Sequence, residues 1–154
     1  MSTKPLLIST RLVDEARHFV VCTNHGFRLH ETKSCKLKVA TQIDGGVSLC
    51  EPYRQSNIFF LVGTGANTEF PTSMLCIWDD VKKEVVGSAQ FKKPIVDLQV
   101  RGPWLLVAQD TLTTVLNFDK GINQENIIAE VQTESIKGKN LLTAILRESI
   151  HDNE

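Results

Sequence analysis

Asp79 and Asp80 are adjacent carboxylates, the pairing that general acid–base catalysis uses when both groups reach one site. They follow an alternating apolar run, so they lie on a strand, where neighbouring side chains point to opposite faces. The two carboxylates therefore do not share a site, and Asp79 is expected to accept structural hydrogen bonds within its own strand unit. His18, Cys22, His25, His30 and Cys35 are zinc-type ligands close together in sequence. Alternation throws His18, Cys22 and His30 onto strand faces and His25 into a turn. No second short-spaced pair completes a tetrahedral set. Gly63-x-Gly65 lacks the following Lys-Ser/Thr and the helix that a phosphate loop needs. The chain has no nucleophile elbow and no His-containing zinc helix motif. These residue types point to no catalytic residue, no metal and no cofactor, and a non-enzymatic role is expected.

What remains is binding. Residues 64–73 form a long loop between two apolar runs, with an aromatic beside a proline. Loops on a rigid scaffold carry partner contacts, because the frame fixes them and their sequence is free to vary. Asn67, Glu69, Phe70 and Pro71 are the candidate partner-binding residues. Phe70 has two open roles, as an anchor in a partner's pocket or as a cap folded back on its own sheet. Lys82-Lys83 and Lys92-Lys93 flank one strand, and Lys33, Lys36 and Lys38 lie upstream. Such a rim attracts anionic headgroups, but lysines also keep strand edges solvated and apart. The second role is the expected one here.

The elements that hold these residues repeat. Residues 75–80 read Leu-Cys-Ile-Trp-Asp-Asp, an alternating strand closed by a Trp-Asp pair. An apolar run at 57–63 precedes it and another at 85–91 follows a polar turn. Strand, loop, Trp-Asp strand, turn, strand is the sequence form of one β-propeller blade. Upstream, strands are expected at 6–13, 18–23, 27–31 and 36–40, and Asp44-Gly45-Gly46 closes that unit. Downstream they are expected at 94–100, 104–108, 112–118 and 127–131. Equivalent strands begin at Phe19, Phe59 and Trp104, which are 40 and 45 residues apart. That matches the roughly 40–45-residue period of WD-type blades. The fold class is therefore all-β, about three four-stranded antiparallel blades of an incomplete propeller. The blades fill residues 1–136, and 137–154 form a divergent C-terminal tail. There, apolar residues at 141, 142, 145, 146 and 150 fit one helix face, and equally the opening strand of a fourth blade.

Composition narrows the class. The chain has 154 residues, is 42% hydrophobic and 23% charged, and carries a formal charge of −1. That is a globular balance with a real core, and it lacks the clustered basic field that nucleic-acid binding needs. No apolar run is long enough to span a membrane, and no signal-peptide core follows the first residues. A cytoplasmic setting is expected. There, Cys22, Cys35, Cys50 and Cys76 serve as small buried hydrophobes, not disulfides.

Several stretches resemble one family. They are Asn24-His25-Gly26-Phe27-Arg28-Leu29, Phe60-Leu61-Val62-Gly63-Thr64-Gly65 with Phe70-Pro71, Ile77-Trp78-Asp79-Asp80-Val81-Lys82-Lys83, and residues 95–100. In order, spacing and loop length, residues 6 to about 138 resemble the PROPPINs, the WIPI-type phosphoinositide-binding propellers of seven blades. The resemblance implies an autophagy scaffold, cytoplasmic and peripheral on autophagosomal, endosomal or vacuolar membranes. It also implies binding to phosphatidylinositol 3-phosphate and the 3,5-bisphosphate, and to autophagy proteins, among them the large lipid-transfer protein of autophagy. The family places that protein-binding surface around blades two and three. Its lipid motif is a Phe/Leu-Arg-Arg-Gly run in a later blade. This chain has no Arg-Arg pair, and Arg101-Gly102, its only Arg-Gly, falls in the third blade. The lipid-binding residues therefore do not carry over, which leaves a partner-binding module without lipid as the alternative. Three blades also leave faces that a neighbour normally buries. The chain is expected to self-associate, to pair with another propeller part or to be marginally stable.

Overall fold

Apolar side chains at every second position let a strand bury one face, and a run apolar on both faces lets it bury two. Both patterns occur along this chain. A computed structural model of it describes residues 4–120 and 126–132. The expected tail at 137–154 lies outside the described residues. The chain divides into two compact units, Met1–Lys92 and Lys93–Glu154.

The first unit holds two blades. Blade one comprises β1 (Leu7–Val13), β2 (His18–Thr23), β3 (Gly26–Glu31) and β4 (Leu37–Gln42). Blade two comprises β5 (Val47–Pro52), β6 (Ile58–Gly63), β7 (Met74–Asp79) and β8 (Glu84–Gln90). Each is a four-stranded antiparallel sheet in sequence order. The second unit holds blade three, with β9 (Ile95–Arg101), β10 (Trp104–Gln109), β11 (Leu112–Asn117) and β12 (Ile127–Gln132), and a 3-10 turn at Phe118–Lys120.

The repeat extends to the irregularities. Each first strand carries a bulge near its start, with the extra residue at Ile8, Ser48 and Val96. Each fourth strand carries one as well, at Lys38, Val86 and Ile128. A bulge bends its strand and raises the local twist. Six bulges at matching places therefore mark one blade design used three times.

The core of the first unit lies between its two blades. Val13, Val20, Cys22, Phe27 and Leu29 of blade one pack with Cys50, Phe59, Leu61, Cys76 and Trp78 of blade two. Phe27 and Phe59 stack across the join with centroids 4.9 Å apart and planes tilted by 44°. Polar groups also cross it. Arg11 Nη1 donates to Glu51 Oε1 at 2.9 Å, with Glu51 itself buried, and Ser9 Oγ donates to the Ser48 carbonyl at 2.6 Å.

Cys35 departs from the expected burial. Cys22, Cys50 and Cys76 are buried, but Cys35 is exposed. It occupies the left-handed position of the β3–β4 turn, with φ 55°, and a turn tip has no interior to offer it.

Candidate functional site

The loop between β6 and β7 is shaped by glycines at two close approaches. A Cβ placed on Gly63 would lie 2.0 Å from the Phe70 carbonyl oxygen, so the chain folds back against its own strand end there. A Cβ on Gly45 would lie 2.6 Å from that of Asn67, which brings the loop down onto the linker between the blades.

Hydrogen bonds fix this path. Asn67 Nδ2 donates to the Asp44 carbonyl at 3.3 Å. Its Oδ1 accepts from the Glu69 amide at 3.0 Å, an Asx turn. Thr64 Oγ1 donates to the Gly45 carbonyl and accepts from the Ala66 amide at 3.1 Å. The Phe70 amide donates to the Asn67 carbonyl at 3.0 Å, and the Met74 amide to the Pro71 carbonyl at 3.2 Å. The far end is anchored too, since the Phe91 amide donates to the Ser73 carbonyl at 2.8 Å.

Of the two open roles for Phe70, the geometry favours the cap. Phe70 is half-buried and packs with Met74 against the core of the first unit. Pro71 is likewise half-buried, and Asn67 is spent on the linker. The loop presents Ala66, Thr68 and Glu69 to solvent. Of the four sequence candidates, Glu69 alone is exposed, and the other three hold it in place.

The Trp-Asp pair serves architecture. Asp79 Oδ1 accepts from the Val81 and Lys82 amides at 3.0 and 3.1 Å and from Asn57 Nδ2 at 2.5 Å. The Lys82 amide first, with Asn57 and the Val81 amide, holds the Asp79 carboxyl below its ordinary range against the opposing effect of burial. Asp80 Oδ1 accepts from Trp78 Nε1 at 3.1 Å, from Lys83 Nζ at 2.7 Å and from Thr41 Oγ1. Burial alone would raise the Asp80 carboxyl, but the Lys83, Thr41 and Trp78 donors outweigh it and the net direction is down. The two carboxylates have separate partners, and Asp80 ties β4 of blade one to the β7–β8 turn of blade two.

Both shifts make stability depend on pH. A carboxyl lowered in the fold favours the ionised native state, so its contribution is present above the unfolded value of about 3.9 and lost as pH falls through the folded one. The melting temperature is expected to drop on acidification from about pH 4 to pH 3. Asp80→Asn should melt lower than the parent at pH 7 and lose part of that acid-induced drop. An identical acid slope in both proteins contradicts the assignment.

The histidines, cysteines and lysines take local roles. His18 Nδ1 lies 3.0 Å from Asp14 Oδ2. His30 stacks on Phe19 with centroids 5.0 Å apart, and its Nδ1 lies 3.1 Å from the Cys35 carbonyl. Burial pushes the Cys22 and Cys76 thiols up to about 11, which keeps them protonated at neutral pH. Among the described residues, no group of three His, Cys, Asp or Glu side chains converges as a metal set. Lys33, Lys36, Lys38, Lys82, Lys92 and Lys93 are exposed. Lys83 is exposed as well, and it also donates to Asp80 and to Thr41 Oγ1, the latter at 3.2 Å.

The ties between blades escaped the sequence. Ser9–Ser48, Arg11–Glu51 and Thr41–Asp80 are 39, 40 and 39 residues apart. That is close to the repeat period, and a search for complementary polar pairs one period apart would have found them.

No family model matches the chain. Among curated proteins, it is 31% identical over 97 residues to SVP1-like protein 2 of Pichia angusta, across 62% of this chain and 27% of that protein. It is 31% identical over 88 residues to Autophagy-related protein 18e of Arabidopsis thaliana, across 53% of this chain and 23% of that protein. Among solved structures, Kluyveromyces lactis Hsv2 with its complete loop 6CD superimposes with a TM-score of 0.69 at 18% identity. That match covers 84% of this chain and 37% of the other, and at such identity it speaks for the fold. The chain thus spans 27% and 23% of the lengths of these two curated relatives.

Proposed function

The chain belongs to the PROPPIN family, and from that premise we propose that it is a non-enzymatic autophagy scaffold that binds a protein partner through the blade-two loop. The observation that carries this reading is the loop's construction. Asn67, Phe70 and Pro71 are consumed in fixing the backbone, while Thr68 and Glu69 stand exposed at its tip. A preorganised tip loses little entropy on binding, which favours recognition by few side chains. The partner's contacting surface is expected to be basic, to meet Glu69. The large lipid-transfer protein of autophagy is the partner to test. We propose that the described blades contact protein rather than phosphoinositide, since they carry no Arg-Arg-Gly motif.

Two measurements test the two halves of this reading. In co-sedimentation with vesicles, adding phosphatidylinositol 3-phosphate should not increase pelleting of the chain, and lipid-dependent pelleting overturns the lipid-free reading. In co-precipitation with the lipid-transfer protein, Glu69→Arg should weaken binding by about tenfold or more, the loss of one central charged contact, without changing the melting temperature. Undiminished binding by Glu69→Arg rules out the loop tip.

A further inference from the structure

The strands of each blade run from an inner edge to an outer one. The first strands β1 and β5 meet through the Ser9–Ser48 and Arg11–Glu51 bonds. They gather on the inside, which leaves the fourth strands of the two blades at the rim. Neighbouring blades of a propeller cover each other's faces, and a rim edge stays clear of them. β4 is such an edge, last in the sheet order of blade one. The outward backbone groups of an edge strand are a template for one more strand. Val39 packs against the core of the first unit and Thr41 is buried, while Lys38, Ala40 and Gln42 are exposed.

This edge is basic along its length. Lys36 precedes the strand and Lys38 sits at its bulge. At the far end Lys83 of blade two places its Nζ 3.2 Å from Thr41 Oγ1. At about 3.3 Å per residue, these cations span about 17 Å of the strand. The carboxylates bonded among them are Glu31 and Asp80. Glu31 accepts from Ser34 Oγ and lies 4.0 Å from Lys38 Nζ, and Asp80 holds Lys83 Nζ at 2.7 Å. Lysines guard a strand edge against pairing with its own kind, but that role does not account for their placement. β8 and β12 are the corresponding edges of blades two and three, and neither contains a lysine. β8 even exposes Val85 and Val86.

We propose that the outer edge of β4 binds an extended acidic segment of a partner protein, which adds a fifth strand to blade one. Main-chain hydrogen bonds to Leu37–Gln42 supply the affinity, and the lysines select the sequence. The segment is about six residues long, to match the strand. It carries Asp or Glu near each end, where Lys36 and Lys83 stand. It has no proline, because a proline nitrogen donates nothing to the ladder. A basic strand is repelled, so the same lysines exclude the β4 edge of a second copy. The site is separate from the loop between β6 and β7, whose exposed Glu69 calls for a basic surface. The first unit thus offers two contact surfaces of opposite charge.

The probe is a fluorescein-labelled peptide of about twelve alternating glutamates and valines, long enough to span β4. Its anisotropy is read while the whole chain is titrated to about 300 μM, the range of a weak, transient contact. Saturable binding is expected, and in hydrogen exchange the amides of Leu37–Gln42 should gain protection. Proline in place of alternate valines keeps the charge but removes main-chain donors, and should weaken binding at least about tenfold. Lys36→Glu/Lys38→Glu should also weaken it at least about tenfold. Both positions are exposed, and the Lys38–Glu31 pair is a surface one, so the melting temperature should hold. Lys92→Glu/Lys93→Glu makes the same change in net charge away from this edge and should bind like the parent. Absence of saturable binding overturns the proposal, and so does protection gained outside β4. Equal binding of the proline peptide, or equal loss in the two double variants, overturns it as well, since either means charge attraction without an added strand.

Discussion

Phe59→Ala is expected to destabilise the first unit by about 3–5 kcal/mol, the usual cost of truncating a fully buried phenylalanine. Phe59 is 2% exposed and stacks on Phe27 across the join between the blades. Its loss opens a cavity in the one core that both blades share and removes an aromatic pair besides. Against a typical domain stability of about 5–15 kcal/mol, that is a large fraction. Phe19 is the register equivalent in blade one and supplies an internal control. It is only half-buried, so Phe19→Ala should cost less, about 1–2 kcal/mol, because part of its surface already meets water. Urea midpoints of the two variants measure the contrast. Equal losses would mean that the two faces are covered alike.

Gly63→Ala is expected to dislodge the blade-two loop while leaving blade one intact. The added Cβ meets backbone, since the Phe70 carbonyl oxygen would lie 2.0 Å away and the Phe70 carbonyl carbon 2.8 Å. Backbone cannot rotate aside as a side chain can. Relief requires residues 64–73 to lift, which costs the Gly65–Phe70 and Phe70–Asn67 hydrogen bonds and the packing of Phe70 on the core. Overpacking of this kind costs about 1–3 kcal/mol or more. Hydrogen exchange reads it directly. The Gly65 and Phe70 amides should lose protection, while amides of β2 and β3 keep theirs. Unchanged protection at Phe70 contradicts the close approach. If the loop tip is the partner site, the same variant also loses partner binding, although Glu69 itself is untouched.

Much of the fold was legible before any coordinates. The strands expected at 18–23 and 104–108 appear as His18–Thr23 and Trp104–Gln109, and the 40- and 45-residue offsets reappear as three sheets of one design. The separate roles of Asp79 and Asp80 followed from alternation alone. The candidate site was legible only in part. Residues 64–73 stood out by length and composition, but nothing local said that Phe70 turns inward and leaves Glu69 at the tip. Cys35 was misplaced because an apolar neighbourhood in sequence does not reveal a left-handed turn position. The hydrogen bonds of the exposed Lys83 were not legible because its acceptors come from two places, Asp80 beside it and Thr41 on the neighbouring blade.

By itself the sequence determined where the strands lie to within one or two residues, where the chain turns, and that one supersecondary unit recurs. These properties are local, since alternation and turn-forming residues act within a few positions. Tertiary structure decided which face of each strand is covered. Alternation gives a strand two faces and says nothing of which one meets a neighbour. Phe19 and Phe59 occupy the same register position on equivalent strands, and one is half-exposed while the other is buried. The difference is the blade stacked over Phe59, and stacking is set by packing between residues about one repeat apart. The same non-local contacts placed Arg11 on Glu51 and Thr41 on Asp80.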